Sequence, residues 1–399
     1  MQRCGQNLAS HRSPYGVVQR VFATYPRRQI DLISTCRRVT RFTRLFAILV
    51  GWSALAACST GGVAAPPTPP EPHDAEIVLY NWVDYLPQSV IDDFTAETGI
   101  AVTYVVYEDQ DEAVAALRAG TPYDLVVLTL EFVPQLIADG LLAEIDAHNV
   151  PNLRNVSANF RDLAFDPGNR YTIPYHWGTT GLLVRSDLVA PPPTRWADMW
   201  EPRFAGKVAI WPLEVSLMPI ALKALGYSAN AEDQAAIDAA LQWLLDLKAQ
   251  SIVVGNENAT ILPVLTSGEV VLAYGWAYDA QLATEEGAPF QYILREEGSI
   301  LWSDYFVLPR SGRNKRGAEL FLDFLLRPEI SARIVAESFY PMANDAALPL
   351  IDPEILANPV IYPPPEALQH AELTLPLSPD GTERRRAAWQ IFLDAPAQP

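Results

Sequence analysis

The chain has 399 residues, of which 49% are apolar and 19% are charged. This composition excludes a disordered chain, and the length predicts two domains or lobes rather than one core. The formal net charge is −18, and removal of the first 57 residues, which hold nine Arg and one Asp, would lower it by eight to −26. Such an acidic protein is not expected to bind nucleic acid, and its charge favours cationic ligands.

Residues 1–57 are predicted to be a signal region that directs export. Two arginines precede a short apolar run at residues 45–50, and small residues lead from there to Cys58. The run is too short to cross a membrane as a helix, so a secretory signal is favoured over an anchor that stays attached. The stretch Leu55-Ala56-Ala57-Cys58 resembles the bacterial lipobox. That resemblance implies that Cys58 is the lipidated first residue of the mature protein.

The residues around this signal complete the prediction for the exported form. Residues 1–38 are Arg-rich and lack an apolar pattern, so translation is expected to begin near Val39. Residues 58–74 combine the lipidated cysteine with a Gly- and Pro-rich linker, which is typical of a semi-extended spacer. No cysteine follows Cys58 and the histidines are scattered, so we expect no disulfide, no thiol nucleophile, no metal site and no cofactor.

From Ala75 onward, apolar runs and amphipathic segments alternate along the chain. This alternation predicts an α/β protein with a largely parallel sheet that helices cover on both faces. The predicted strands are residues 76–79, 101–107, 125–128, 181–184, 207–210, 270–273 and 306–308. The predicted helices are residues 88–94, 111–119, 133–139, 233–248, 315–326 and 383–393.

The segment between the first predicted strand and the first predicted helix carries candidate binding residues. It contains Trp82, Asp84 and Tyr85 close together. Open α/β sheets present ligand contacts at such strand-to-helix crossovers, at the carboxyl ends of their strands. Aromatic faces beside a carboxylate suit an organic cation. From this stretch alone, rings that merely fill the core under a loop are an equally good interpretation.

Four further groups repeat this chemistry, and each is predicted at the end of an apolar strand. A single pair of this kind is weak, since a buried Trp usually belongs to a core. Four recurrences in a matching context favour a ligand site instead. The groups are Thr129 with Glu131, Trp276 with Asp279, Trp302 with Asp304, and Tyr340 before Pro341.

Six segments between residues 76 and 393 carry a specific family resemblance. They are Tyr80-Asn81-Trp82-Val83-Asp84-Tyr85, Glu97-Thr98-Gly99-Ile100, Tyr123-Asp124-Leu125-Val126-Val127, Ile173-Pro174-Tyr175-His176-Trp177-Gly178-Thr179-Thr180, Trp302-Ser303-Asp304 and Phe324-Leu325-Leu326-Arg327-Pro328. In order and spacing these segments resemble the bacterial spermidine/putrescine-binding proteins, which are the solute receptors of polyamine ABC importers.

The resemblance implies a two-lobed periplasmic-binding-protein fold of type II, with a hinge and a ligand cleft between the lobes. We expect residues 75–181 with 303–345 to form the first lobe. Residues 182–302 with 346–399 are expected to form the second. Such lobes close on the ligand by rotation about the hinge.

The resemblance also implies roles for the candidate residues. The acids that hold the amine groups in the family correspond to Asp304, Asp84 and Asp279, and a small hydroxyl residue corresponds to Thr129. The aromatic residues that enclose the methylene chain of the ligand correspond to Trp82, Tyr85, Trp276, Trp302 and Tyr340.

Several positions depart from the family pattern. Leu213 and Ser216 occupy places where spermidine binders carry acids, and Glu214 is an acid one step out of register. Glu131 replaces an aromatic near Thr129. Because Trp302 resembles the spermidine type whereas Asp279 resembles the putrescine type, the identity of the polyamine stays open.

The leading hypothesis is a lipid-anchored, monomeric receptor in the periplasm or on the outer face of the cell membrane. It would capture putrescine or spermidine and deliver it to an ABC permease, without catalysis. Another amine or an amino acid such as 4-aminobutyrate is the alternative ligand. A carboxylate ligand should meet Arg or Lys in the cleft, and the nearest in sequence, Arg185 and Arg310, are expected to face solvent.

Two other functional classes remain open. A sensor that engages a signalling partner cannot be separated from a transport receptor by sequence. A hydrolase with paired carboxylates such as Asp84 and Asp304 is disfavoured. The chain has no Gly-x-Ser-x-Gly elbow, no metal-spaced His or Cys and no phosphate loop.

Overall fold

Ten strands form one sheet in the computed structural model, which describes residues 75–83, 85–107, 110–254 and 262–396. All of these residues belong to one compact unit. The predicted signal region, the lipidation residue Cys58, the linker up to residue 74 and Asp84 lie outside the described residues. No helix in the described ranges is both long enough and apolar enough to cross a membrane.

The sheet is continuous through the described part of the chain. Its strand order is β2-β1-β3-β9-β4-β7-β5-β6, with β10 paired beside β9 and β8 paired beside β4. The strands are β1 (Glu76–Asn81), β2 (Ala101–Val106), β3 (Leu125–Thr129), β4 (Thr172–Arg185), β5 (Val208–Ile210), β6 (Ile252–Val253), β7 (Leu272–Trp276), β8 (Phe290–Ile293), β9 (Ile300–Val307) and β10 (Glu372–Leu373).

Parallel and antiparallel pairing divide the sheet into three parts. β1 runs parallel to β2 and β3 at one end, and β5 runs parallel to β6 and β7 at the other. Between these ends, β9 runs antiparallel to β3 and β4, and β4 runs antiparallel to β7. The predicted parallel pairing therefore holds at both ends of the sheet, whereas its centre is antiparallel because β4 and β9 cross between them.

Helices cover this sheet, and capping residues define several of their ends. Gly99 ends the first helix with a positive φ of 74°, and the side chain of Asn314 accepts a hydrogen bond from the Gly317 amide at the start of the eighth. The helices are α1 (Gln88–Thr98), α2 (Gln110–Arg118), α3 (Val133–Ala138), α4 (Glu214–Ala224), α5 (Gln234–Lys248), α6 (Leu262–Ser267), α7 (Ala277–Glu285), α8 (Lys315–Leu325), α9 (Pro328–Ser338), α10 (Pro353–Leu356) and α11 (Pro379–Asp394).

Separate apolar cores lie at the two ends of the sheet. On one side, Phe94 of α1 packs against Phe321 of α8 with ring centroids 4.8 Å apart, and both side chains are fully buried. On the other side, Leu217 of α4 and Leu244 of α5 are fully buried with β5 and β7. Each such side chain contributes about 1.5–3 kcal/mol by leaving water. β4 contributes residues to both cores, while the exact lobe boundaries stay a prediction.

Two groups of candidate residues do not lie where the strand prediction put them. Trp302 and Asp304 lie inside β9 rather than before its apolar part. The strand begins at Ile300 because its backbone pairs there with Thr180 of β4 on one side and with β10 on the other. Helix α9 ends at Ser338 and is capped by Phe339, which has a positive φ of 60°. Tyr340 follows this cap, and so it does not end a strand.

Candidate functional site

The centre of the site is a hydrogen bond between two buried residues. The hydroxyl of Tyr85, in the loop after β1, donates to Oδ2 of Asp304 on β9. Asp304 is 3% exposed, and its second oxygen, Oδ1, has no hydrogen-bond partner in the described chain. A buried carboxylate oxygen without a donor is costly, so it is a ready acceptor for a ligand.

Aromatic rings surround this pair. The ring of Tyr340 lies 5.0 Å from that of Tyr85 in an edge-to-face arrangement, and the ring of Trp302 lies 6.1 Å from that of Tyr340. Tyr278 approaches from the other side, with its ring 5.6 Å from that of Tyr340. Four separate segments of the chain therefore supply one aromatic wall, and three of its four rings belong to predicted residues.

Trp302 requires the glycine opposite it on the neighbouring strand. Gly178 of β4 pairs with Trp302 of β9, and a Cβ atom added to Gly178 would lie 2.3 Å from the six-membered ring of the indole. Only a residue without a side chain lets the indole lie over the backbone here. The position of the Trp302 indole thus explains why the family segment from Ile173 to Thr180 has a glycine at residue 178.

Trp276 and Asp279 form a second part of the site at the end of β7. The Trp276 amide donates to Oδ2 of Asp279 over 2.9 Å, which fixes the carboxylate at the start of α7. The Trp276 ring lies 5.7 Å from that of Trp211. This pair comes from the core that contains α4 and α5, whereas Tyr85 comes from the core that contains α1.

Thr129 and Glu131 lie beside Asp304, where β3 ends. Thr129 is directly opposite Asp304 in the pairing of β3 with β9. The side chain of Gln110 donates to the Thr129 hydroxyl over 2.9 Å and accepts from its amide over 3.1 Å. Glu131 follows in a short 3-10 helix and is partly exposed.

The remaining predicted residues have different positions. Glu214 is the first residue of α4 and is partly exposed. Trp82 contacts Tyr107, with ring centroids 4.4 Å apart, and makes no ring contact with Tyr85 among the described residues. Trp82 packs partly into the core there. Asp84 lies outside the described residues, so its role stays a prediction.

Burial makes the carboxylates of the site hard to ionise. It raises the pKa of Asp304 to about 7, with a contribution from the Glu131 charge, and that of Asp279 to about 6. Burial also raises the pKa of Glu131 and of Glu214, and the Glu131 charge adds to the increase at Glu214, while Arg385 opposes it. Since none of these acids forms an ion pair within the described chain, a bound cation would relieve the burial cost.

The structure also reveals residues that sequence reasoning did not select. His176, in the irregular part of β4, places Nε2 3.1 Å from the Tyr85 carbonyl and Nδ1 3.3 Å from the Pro341 carbonyl. It thus contacts both segments that carry the Tyr85 and Tyr340 rings. Burial lowers the pKa of His176 to about 4, so the imidazole is neutral. Its only signal in the sequence was its place inside a family segment.

Gln110 is a second residue at the site that sequence reasoning did not select. It lies at the start of α2, after β2, where a crossover reaches the same edge of the sheet as the other ligand loops. That position could have identified it. Tyr278 lies between Trp276 and Asp279 in the sequence, and its neighbours could have pointed to it as well.

Comparison with known proteins agrees with the site chemistry. A family model described as a bacterial extracellular solute-binding protein matches residues 89–363. The spermidine/putrescine-binding periplasmic protein of Escherichia coli K12 is 34% identical over 299 residues, which cover 74% of this chain and 85% of that protein. The putrescine/agmatine-binding protein of Pseudomonas aeruginosa PAO1 is 32% identical over 304 residues, covering 71% and 82%.

The fold comparison gives the same result. The crystal structure of a spermidine/putrescine ABC transporter substrate-binding protein from Streptococcus pneumoniae superimposes with a TM-score of 0.71 at 25% identity, covering 80% of this chain and 98% of that one. The two-lobed periplasmic-binding-protein prediction is thereby confirmed. The matching family consists of solute-binding proteins rather than enzymes. The chain therefore belongs to the bacterial extracellular solute-binding proteins, and its relatives include the spermidine/putrescine-binding proteins that its motifs resemble.

Proposed function

We propose that the mature protein captures a polyamine outside the cytoplasm and delivers it to the permease of an ABC importer. One observation carries this proposal. Asp304 keeps a free carboxylate oxygen inside an aromatic wall, and no basic side chain pairs with it in the described chain. The relatives named for spermidine and putrescine binding support the same class of ligand.

The chemistry of the wall suits a linear amine. Such a ligand has charged ends joined by methylene groups, so it needs carboxylates at its ends and apolar faces along its length. An ammonium group over a desolvated aromatic face gains about 2 kcal/mol, and a hydrogen bond to an ionised carboxylate contributes about 1.5–3 kcal/mol. The rings of Trp302 and Tyr340 would provide the aromatic faces, and Asp304 would accept the hydrogen bond from an ammonium group.

The alternative ligand 4-aminobutyrate has less support. Its carboxylate would need a cationic partner, and the two arginines nearest to the site in sequence are engaged elsewhere. Arg185 pairs with Asp187 over 2.7 Å, and Arg310 donates to the Leu142 carbonyl over 3.4 Å. Neither guanidinium contacts Asp304 in the described chain.

Isothermal titration calorimetry of the protein from Ser59 onward tests the ligand class. The protein should be unfolded and refolded first, to remove any ligand carried over from expression. We expect saturable binding of putrescine or spermidine with micromolar or tighter affinity, and much weaker binding of 4-aminobutyrate. Tight binding of 4-aminobutyrate together with silence for putrescine, spermidine and spermine would contradict the proposal.

Membrane attachment through Cys58 is a separate part of the proposal. If the residue is lipidated, a Cys58→Ser variant expressed in a bacterial host should move from the membrane fraction to the soluble extracytoplasmic fraction. Mass spectrometry of the wild-type N-terminus should find the lipid on Cys58. Retention of the variant in membranes at the wild-type level would refute the anchor and leave the ligand proposal intact.

A further inference from the structure

His176 lies where β4 leaves its regular pairing with β9. The register between these strands shifts between Pro174 and Trp177. In this interval His176 forms an antiparallel bridge with Met342, which belongs to the segment after α9. The irregularity therefore places the fully buried imidazole between that segment and the loop that carries Tyr85.

The imidazole of His176 contacts both tyrosine rings of the aromatic wall. Its centroid lies 4.7 Å from that of Tyr85 and 5.5 Å from that of Tyr340. The His176 carbonyl accepts from Ser303 Oγ over 3.0 Å, and Ser303 directly precedes Asp304 on β9. One residue thus touches three of the four segments that supply the wall.

Each ring nitrogen of His176 faces a carbonyl, but a neutral imidazole has a single N–H. Nε2 is 3.1 Å from the Tyr85 carbonyl, and Nδ1 is 3.3 Å from the Pro341 carbonyl. Each carbonyl has another donor, since the Tyr175 hydroxyl donates to the first over 2.6 Å and the Trp177 amide to the second over 3.1 Å. The shorter of the two contacts favours the tautomer with its proton on Nε2, which donates to Tyr85.

We propose that His176 is a positioning residue, which fixes the Tyr85 backbone so that the Tyr85 hydroxyl stays on one oxygen of Asp304 and the other oxygen stays open to an amine. This inference rests on the proposed polyamine function. Because Tyr85 lies in the loop between β1 and α1, its carbonyl is held by the side chains of His176 and Tyr175. Without the His176 donor the Tyr85 hydroxyl would leave Asp304 more often, and a buried carboxylate that lacks a donor binds a proton more readily.

The protonation of Asp304 therefore reports on this contact. Burial raises the pKa of Asp304, the hydrogen bond from Tyr85 opposes this increase, and the Glu131 charge adds to it. Loss of the Tyr85 contact should raise the pKa further and move the fall of affinity to higher pH. The other titratable groups near Asp304 are tyrosines whose pKa is raised by burial, so they stay neutral in this range. They are Tyr107, Tyr175, Tyr305 and Tyr340.

Calorimetric titration with spermidine and putrescine between pH 6 and pH 8 tests the proposal. His176→Phe keeps a ring and removes both nitrogens. We expect its affinity at pH 8 to be about three- to tenfold below the wild type, which is the effect of one hydrogen bond, and the deficit to be larger at pH 6.5. His176→Gln keeps an N–H close to the position of Nε2, and it should retain most of the wild-type affinity and pH dependence. His148→Phe, at an exposed histidine, is the matched control and should behave as the wild type.

The Tyr85→Phe background separates positioning from a general structural effect. This substitution removes the hydroxyl that His176 is proposed to hold, so adding His176→Phe to it should change affinity by less than about twofold at any pH. An equal loss in both backgrounds, or wild-type affinity and pH dependence in His176→Phe alone, would overturn the inference while the polyamine function stands. Silence of the wild type with every amine would instead refute the proposed function and this inference together.

A measurement on the wild type keeps the proposal testable even if His176→Phe does not fold. Nitrogen NMR of the imidazoles, with His176→Gln to assign the signal, should find the His176 proton on Nε2 at pH 7. A proton on Nδ1 would be donated to Pro341 and not to Tyr85, and that result would also overturn the inference.

Discussion

Asp304 carries its carboxylate into a buried position where one oxygen accepts from Tyr85 and the other has no partner in the described chain. A side chain chosen for stability alone would not combine burial with an unsatisfied acceptor, because each such group costs about 1–3 kcal/mol. The arrangement is explained if a ligand supplies the missing donor. Such a residue lowers the stability of the ligand-free protein and contributes to the free energy of ligand binding.

The first prediction concerns the stability of the ligand-free protein. The pKa of Asp304 is about 7 in the folded chain, above the ordinary value of 3.8, so the stabilising effect of its proton is complete below pH 4 and is lost as the pH rises through 7. At pH 8 the buried charge costs on the order of 4 kcal/mol. Asp304→Asn removes that charge but adds an unpaired N–H, which costs about 1–3 kcal/mol. The variant should therefore be more stable at pH 8.

Urea unfolding at pH 8 and at pH 5 checks this expectation. The advantage of Asp304→Asn over the wild type should be about 2 kcal/mol at pH 8 and should shrink or reverse at pH 5, where the wild-type carboxyl is neutral. Using the difference between the two proteins removes the effect of all other acids. A variant that is less stable than the wild type at pH 8 would contradict the assignment.

The second prediction concerns the pH dependence of affinity. A cationic ligand binds the ionised carboxylates, and the pKa values of about 7 for Asp304 and about 6 for Asp279 set the range in which protons compete. Affinity should level off as the pH approaches 8 and fall by about tenfold per pH unit just below pH 7, more steeply below pH 6. Titrations between pH 5 and pH 8 would measure this. A flat profile would show that neither acid contacts the cation.

Among the elements, α11 illustrates a structural anchor that is independent of the site. Lys248, at the end of α5, donates to the carbonyls of Phe392, Leu393 and Ala395 over 2.7, 3.1 and 2.7 Å. Burial lowers the pKa of Lys248. The ammonium group thus satisfies carbonyls that a helix leaves without partners at its C-terminal end.

The third prediction follows from this anchor. Lys248→Met should lower the free energy of unfolding by about 2–3 kcal/mol, because three main-chain carbonyls lose their donor, and ligand affinity should stay at the wild-type value. Lys207→Met, at an exposed position, is the control and should change stability by less than about 0.5 kcal/mol. Thermal unfolding and calorimetry measure the two effects separately. A loss of affinity with unchanged stability would contradict the structural role.

How well each element could be predicted depends on what determines it. The amphipathic helix α5 was predicted nearly to the residue, since its apolar positions repeat with helical spacing and Asp233 caps it. β9 was predicted too short, because its polar residues Ser303 and Asp304 interrupt the apolar pattern that identifies strands. Tertiary pairing with β3 and β4 determines that strand, and local sequence does not contain this information.

The residues of the site likewise differ in whether local sequence or tertiary structure determines their position. Tyr85, Asp304 and Tyr340 were selected from their motifs, and the structure brings them together. His176 was not, because the contact of its ring with the Tyr85 carbonyl depends on an irregularity in β4. Neither the presence of a histidine at residue 176 nor its neighbours in the sequence indicate that contact.

At the scale of the whole molecule, β4 and β9 link the two cores and carry Gly178, Trp302 and Asp304 at their centre. Beside Trp302, Tyr340 of the first core meets Tyr278 of helix α7. In a two-lobed binding protein, ligand capture depends on rotation between the lobes. An anchor on a strand shared by both cores stays in contact with the ligand through such a rotation. The strong negative charge of the chain would also raise the encounter rate with cations at low salt.

The most direct test of this account is the affinity of Asp304→Asn for spermidine and putrescine, compared with the wild type at pH 8. Because the substitution keeps an acceptor for Tyr85 and removes the negative charge, we expect the affinity for both amines to fall by about 100-fold, a loss of about 3 kcal/mol, in a protein that is folded and no less stable. An affinity within threefold of the wild type would contradict the central claim that Asp304 holds an amine cation.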